Sequence, residues 1–161
     1  MRIYHMLIAL VIFTFDQVTK AVIESNIPLH DSRTVIPGFL QITHVKNRGA
    51  AFGIFADSPS DGKLMMLVVL SIVALGVVMT LLWKNQPHAR RMGLGLALIL
   101  GGAIGNLFDR LVHGSVVDFV YFHLGRYYWP AFNVADTAIV TGAALLVLDM
   151  MLTRSPAEVD G

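Results

Sequence analysis

Four stretches of the chain are apolar almost without interruption for about twenty residues each, the length that crosses a hydrocarbon core of about 30 Å. They cover 4–23, 64–83, 92–112 and 132–152, and each is predicted to be a membrane-spanning helix. Arg2 ahead of the apolar run 6–15 resembles the start of a cleavable leader. No small-x-small cleavage site follows, however, and "FDQVTK" continues the helix, so this segment is read as a retained span. Between the spans the pattern changes. "TVIPGFLQITHVKNRGAAFGIF" sets β-branched and aromatic residues between turn signals at Pro37-Gly38 and Asn47-Arg48-Gly49, which predicts short strands joined by turns. "HGSVVDFVYFHLGRYYWPA" opens as an extended run and closes on Tyr127, Tyr128 and Trp129, residue types that anchor at headgroup level. The expected architecture is an all-α membrane protein in one domain, 1–161. It is a four-transmembrane-helix bundle whose outer loops, 25–63 and 113–131, form a small extracytoplasmic β-platform and an interfacial loop.

Composition agrees with a bilayer protein: 55% of the 161 residues are hydrophobic and 14% charged, against about a quarter charged in soluble domains. The net charge of +1 excludes the dense basic field that nucleic-acid binding requires. The lack of Cys excludes disulfides, thiolate metal sites and a Cys nucleophile. Orientation follows from "KNQPHARR", where Lys84, Arg90 and Arg91 crowd a short link and assign it to the cytoplasm. Both termini then face the cytoplasm, in agreement with Arg2 and Arg154. Arg33, Lys46 and Arg48 in the first outer loop weaken the asymmetry, at lower charge density.

Polar residues inside these spans are informative, because a charge at the bilayer centre costs about 2.5–3.5 kcal/mol on insertion scales. Asp16 and Lys20 stand four apart with the acid first, the favourable helical pairing, and are best read as a neutralised pair tying helices together. Gly93, Ala97, Gly101 and Gly105 recur every fourth residue, a small-residue stripe along which another helix can approach closely. Asn106, Asp109 and Arg110 then cluster at the outer rim, either as functional groups or as an ordinary helix end with a solvated Asp-Arg pair. Asn133 can cap the last helix and Asp136, three residues on, suits the positive end of its dipole. Asp118 is different: it is an acid alone among Val116, Val117, Phe119 and Val120, fitting either a strand edge exposed to water or an apolar setting at the membrane surface where desolvation raises a carboxyl pKa.

Were Asp118 and Asp136 to converge, the two could not ionise comfortably together and would share a proton. One carboxylate would then take a proton from water as it attacks an amide carbonyl, while the protonated partner donates to the carbonyl oxygen. Such aspartyl proteolysis needs no metal and no cofactor. Other hydrolytic kits are weak here. His5, His30, His44, His88, His113 and His123 show no HExxH spacing, and His113 near Ser115 lacks a nucleophile turn.

"DQVTK", "NRGAAF", "GGAIGNLFDR", "GSVVDF" and "FNVAD" occur in this order over about three quarters of the chain. Together they resemble the lipoprotein signal peptidase (signal peptidase II) family. The resemblance implies a bacterial inner-membrane aspartyl protease, active at the outer face, that removes the signal peptide of lipid-modified prolipoproteins just before the diacylglyceryl cysteine. It matches Asp118 and Asp136 to the catalytic pair. Asn47, Gly49, Asn106, Arg110 and Asn133 match substrate-lining positions, Asp16, Lys20 and Asp109 match supporting ones, and Arg48 and Gly53 fall where variation is expected. The expected partners are the prolipoprotein and membrane lipid, with no nucleic acid, and the enzyme is expected to act as a monomer. The platform and the 121–127 segment are expected to clamp the substrate and limit water. Two other classes stay open from the residues alone. One is a small proton- or cation-coupled transporter relaying through Asp16, Lys20 and Asp136; the other is a non-catalytic assembly protein using the glycine stripe. Asp149, near the inner end of the last span, is assigned no task.

Overall fold

The computed structural model describes residues 3–49, 61–84 and 90–153. Arg2, Arg154, Gly53 with the rest of 50–60, and His88 with the rest of the 85–89 link lie outside the described residues. In chain order the elements are α1 (Ile3–Asn26), β1 (Ser32–Ile36), β2 (Leu40–Asn47), α2 (Asp61–Lys84), α3 (Arg90–His113), β3 (Val116–Leu124), β4 (Tyr127–Phe132) and α4 (Val134–Thr153). All four helices are long and apolar enough to cross a membrane. The last begins two residues later than its pattern suggested, because Phe132 pairs with Val120 in the sheet.

Helix α3 is central, packing against α1, α2 and α4, and more of it is buried than of the other spans. Glycine makes this possible. A Cβ on Gly101 would lie 2.6 Å from the Ala9 carbonyl oxygen of α1, and one on Gly105 would lie 2.6 Å from Asp16 Oδ2. These belong to the stripe the sequence showed. A second face, Gly95 and Gly102, meets α4 at Gly142 and at the Ala135 carbonyl. Two adjacent small-residue faces therefore let two helices close on α3 at once.

The bundle has two halves. Toward the termini the core is apolar, built from Ala9, Val78, Leu82, Leu96 and Leu100. Toward the sheet the bundle also buries a group of polar side chains: Asp16, Lys20, Asn106, Asp109 and Asn133. Large apolar side chains such as Leu10, Val11, Leu70, Val73 and Val147 point outward, the arrangement that lipid rather than water selects.

Both long connections contribute to one antiparallel sheet of order β1-β2-β3-β4. The first hairpin turns at Pro37-Gly38, where Gly38 adopts φ 75° and the Phe39 N–H bonds the Ile36 carbonyl at 3.1 Å. The second connection, expected to open as an extended run, supplies β3 and β4, joined by a tight turn with Gly125 at φ 58°. Its Tyr127, Tyr128 and Trp129 are exposed at the sheet edge. One contact caps a helix and another ties the sheet to a helix end. Gly114 (φ 67°) ends α3 with its N–H on the Arg110 carbonyl, and buried His44 sets its Nδ1 2.8 Å from the Ile27 carbonyl just after α1.

Candidate active site

Where the polar half of the bundle meets the sheet, α1, α3 and α4 are joined by buried ion pairs. Lys20 Nζ lies 2.6 Å from Asp16 Oδ2 and 2.6 Å from Asp109 Oδ2, and donates to Asn106 Oδ1 at 3.2 Å. The other oxygen of Asp16 accepts the Ala135 N–H at 2.9 Å, which fixes the first turn of α4 onto α1. Gln17 donates to Asp109 Oδ1 at 2.9 Å. The Asp16–Lys20 pair thus ties helices together, as its spacing suggested. Asp109 does not form a solvated pair with Arg110; its partner is Lys20. Arg110 instead donates to the Gly49 carbonyl (3.0 Å) and to the Asn106 carbonyl (3.0 Å), holding the turn after β2 against α3.

The start of α4 is a reciprocal cap. Asn133 Oδ1 accepts the Asp136 N–H at 2.9 Å, while Asp136 Oδ2 accepts the Asn133 N–H at 3.3 Å, which satisfies two donors at the helix end. The architectural role open from sequence is therefore real, but it does not exhaust either residue. Asp136 Oδ1 also accepts from Asn106 Nδ2 at 2.7 Å. Asn133 Nδ2 donates to Asp118 Oδ1 at 2.8 Å. One fully buried amide thus holds both acids, one through its side chain and one through its backbone.

Asp118 stands on β3 opposite Val45, beside a bulge in β2, and β4, which pairs with β3 from Val120 onward, bulges further along the strand. On β2 the register slips between Ile42 and Val45; on β4 it slips opposite the Val120–Phe122 step, at Pro130-Ala131. Bulges concentrate where a sheet must re-aim a side chain, and a proline that cannot donate to the ladder suits one. Asp118 Oδ2 accepts from Asn47 Nδ2 at 2.9 Å, and Asn47 Oδ1 in turn accepts the Gly49 N–H at 2.8 Å. The side-chain turn at Asn47-Arg48-Gly49 thus aims an amide at the acid. Burial first, and then the charge of Asp136, push the Asp118 carboxyl from its ordinary value of 3.8 up to about 7, against the opposing bonds from Asn47 and Asn133.

Two clefts open at this point. One, of about 340 Å³, is lined by Asn106, Arg110, Asp118 and Asp136 and runs past Thr137 and Ile139 to Val140 and Thr141 on α4. The other, of about 440 Å³, lies on the sheet and also reaches Asp118. Every proposed site residue of the sequence, Asn47, Gly49, Asn106, Arg110, Asp118, Asn133 and Asp136, falls in this one region, with Asp16, Lys20 and Asp109 packed behind it. Asp149 lies near the far end of α4. Sequence reasoning passed over Gln17, whose polarity inside a span was the available signal, and His44, which carried none.

The arrangement can be compared with known proteins. The profile of the family described as Signal peptidase (SPase) II matches residues 8–152. The lipoprotein signal peptidase of Solibacter usitatus is 45% identical over 93% of this chain and 92% of its own length. That of Geobacter sulfurreducens is 44% identical over 84% of each. A solved structure described as a bacterial membrane enzyme, obtained by the in meso method, superimposes with a TM-score of 0.84 at 33% identity, covering 98% of this chain and 94% of the other. A second superimposes with a TM-score of 0.82 at 34% identity over 94% of each. With a family profile spanning nearly the whole chain, relatives 44% and 45% identical and a shared fold, the chain belongs to the signal peptidase II family of aspartic endopeptidases.

Proposed function

We propose that Asp118 and Asp136 are the catalytic pair of this peptidase, and that they cut the signal peptide from diacylglyceryl-modified prolipoproteins just before the lipidated cysteine. The observation that carries the assignment is the Asn133 bridge, one buried residue hydrogen-bonded to both carboxyls. Asp118 retains its proton up to about pH 7 and is the resting acid. Asp136, held by N–H donors at the start of α4, takes the proton from the attacking water. Asp118 donates to the substrate carbonyl oxygen; as the tetrahedral intermediate collapses, its hydroxyl returns that proton to Asp118, and Asp136 passes the proton it took from water to the nitrogen of the departing amine. Asn47, Asn106 and Asn133 hold the acids in place, while Arg110 and Gly49 set the turn that carries Asn47.

The site is assigned to the outer face of the inner membrane. Element order supports this: the start of α1, the end of α2 at Lys84, the start of α3 at Arg90 and Arg91, and the end of α4 share the end of the bundle opposite the sheet. A monomer is the proposed working unit. The sheet and the 121–127 segment are assigned the clamping of substrate, and spin labels on that segment should lose mobility when substrate binds. Asp16 and Lys20, which a proton relay would use, are instead bound to each other, to Asp109 and to the α4 backbone.

The direct experiment is a lipid-modified precursor mixed with purified protein. The wild type should yield a shortened product, and Asp118→Asn and Asp136→Asn should each lower the rate by about 10⁴-fold or more at unchanged yield of folded protein. Cleavage by either variant within tenfold of wild type would remove the pair from the mechanism.

A further inference from the structure

The two clefts share Asp118, Pro130 and Ala131 but differ in what surrounds them. The cleft along α4 descends past Val140, an exposed apolar side chain of a membrane span. Among the described residues, the cleft on the sheet is built from strand and turn residues, with none from a spanning helix. A precursor cut at Asp118 has the same asymmetry: an apolar segment in the bilayer on one side of the scissile bond, and a polypeptide that must leave for water on the other. We infer that the sheet cleft, through His30, Gln41, Thr43, Lys46, Arg48 and Tyr121, holds the stretch of substrate immediately downstream of the lipidated cysteine and favours acidic side chains there. This rests on the peptidase reading above.

The charge preference comes from the rim. Lys46 and Arg48 are both exposed, and His30 adds a third basic type. The nearby acids do not cancel them. Glu24 pairs with Lys46 at 3.1 Å, but both side chains are about 40% exposed (42% and 40%), so the pair is solvated and weak. Asp31, next to His30, is not among the described residues that line the cleft and directs an oxygen to the Ser32 N–H at 2.7 Å. Asp118, at the inner end, is the catalytic acid. A carboxylate two to four residues past the cysteine would meet two cations over polar walls supplied by Gln41, Thr43 and Tyr121. A lysine there would meet repulsion.

The test uses diacylglyceryl-modified peptides identical through the cysteine, followed by two acidic, two neutral or two basic residues, with kcat/KM measured for each. Wild type should prefer the acidic over the basic peptide by about three- to tenfold, the effect expected of two exposed charges. The double variant Lys46→Glu, Arg48→Glu should reverse that order. Because the ratio is taken within one preparation, a smaller folded fraction cancels. A double variant that keeps the wild-type order overturns the inference, as does a wild type indifferent to downstream charge. Should the double variant be inactive, the wild-type ratio decides: it should fall toward one as salt is raised to about 0.5 M, where the Debye length is only a few ångströms, and a salt-independent ratio overturns the inference. A wild type that cleaves none of the peptides refutes the peptidase reading instead.

Discussion

Asn133 performs two tasks that different substitutions separate. Asn133→Ala removes the cap on the Asp136 N–H and the donor to Asp118 Oδ1 together. Loss of the cap costs about 1 kcal/mol, and a buried carboxyl oxygen deprived of its donor costs about 1–3 kcal/mol, so the alanine variant should be destabilised by about 2–4 kcal/mol. Asn133→Ser keeps a capping oxygen but is too short to bridge to Asp118, so it should be more stable than alanine by about 1 kcal/mol. Activity should not follow stability. A hydrogen bond to the neutral Asp118 carboxyl is worth about 0.5–1.5 kcal/mol, so both variants should cleave about 2- to 10-fold more slowly. The pH profile should move as well. The Asn133 bond favours the ionised form of Asp118; without it, the acid holds its proton to higher pH and the alkaline fall in rate shifts upward. The assay is gel-resolved cleavage of a lipid-modified precursor over a pH series, with thermal unfolding in the same detergent. A folded Asn133→Ser enzyme with wild-type rate and pH profile would reduce Asn133 to a helix cap and refute the bridge.

Further expectations follow from the same geometry. The wild-type rate should fall as pH rises through about 7, where Asp118 loses its proton. Stability should fall over the same range, because the folded acid keeps its proton to about 7 and the unfolded one only to about 3.9. The folded state therefore binds more protons between these values; the contribution is complete below about 4 and lost by about 7, and Asp118→Asn should flatten unfolding curves measured from pH 4 to 8. Lys20→Met leaves Asp16 and Asp109 buried without their cation and should cost about 3–5 kcal/mol, largely restored when both acids are also changed to Asn; a single variant with wild-type melting would contradict the ion-pair account. Gly102→Ala drives a Cβ into the Ala135 carbonyl and should cost about 1–3 kcal/mol. Gly76→Ala, with nothing within 4 Å, should be neutral or slightly stabilising, and equal melting shifts at the two glycines would argue against close α3–α4 contact.

The sequence by itself determined the four spans, because length and continuity of apolar side chains are local quantities that lipid reads directly. It also determined the turns at Pro37-Gly38 and Asn47-Arg48-Gly49, since these residue types restrict their own backbone. The Asp16–Lys20 pair and the Gly101–Gly105 stripe were legible for a related reason, as helical spacing alone places them on one face. The tertiary structure decided what depends on two distant segments meeting. Only folding shows that the second outer connection completes the sheet, that Gly95 and Gly102 form a second close face, and that Asp109 turns to Lys20 rather than to Arg110. Above all, Asp118 lies on a strand and Asp136 on a helix, and no periodicity relates the two. Their union depends on a strand bulge beside one acid and on a capping asparagine that holds both, interactions that exist only once α3, α4 and the sheet are packed together.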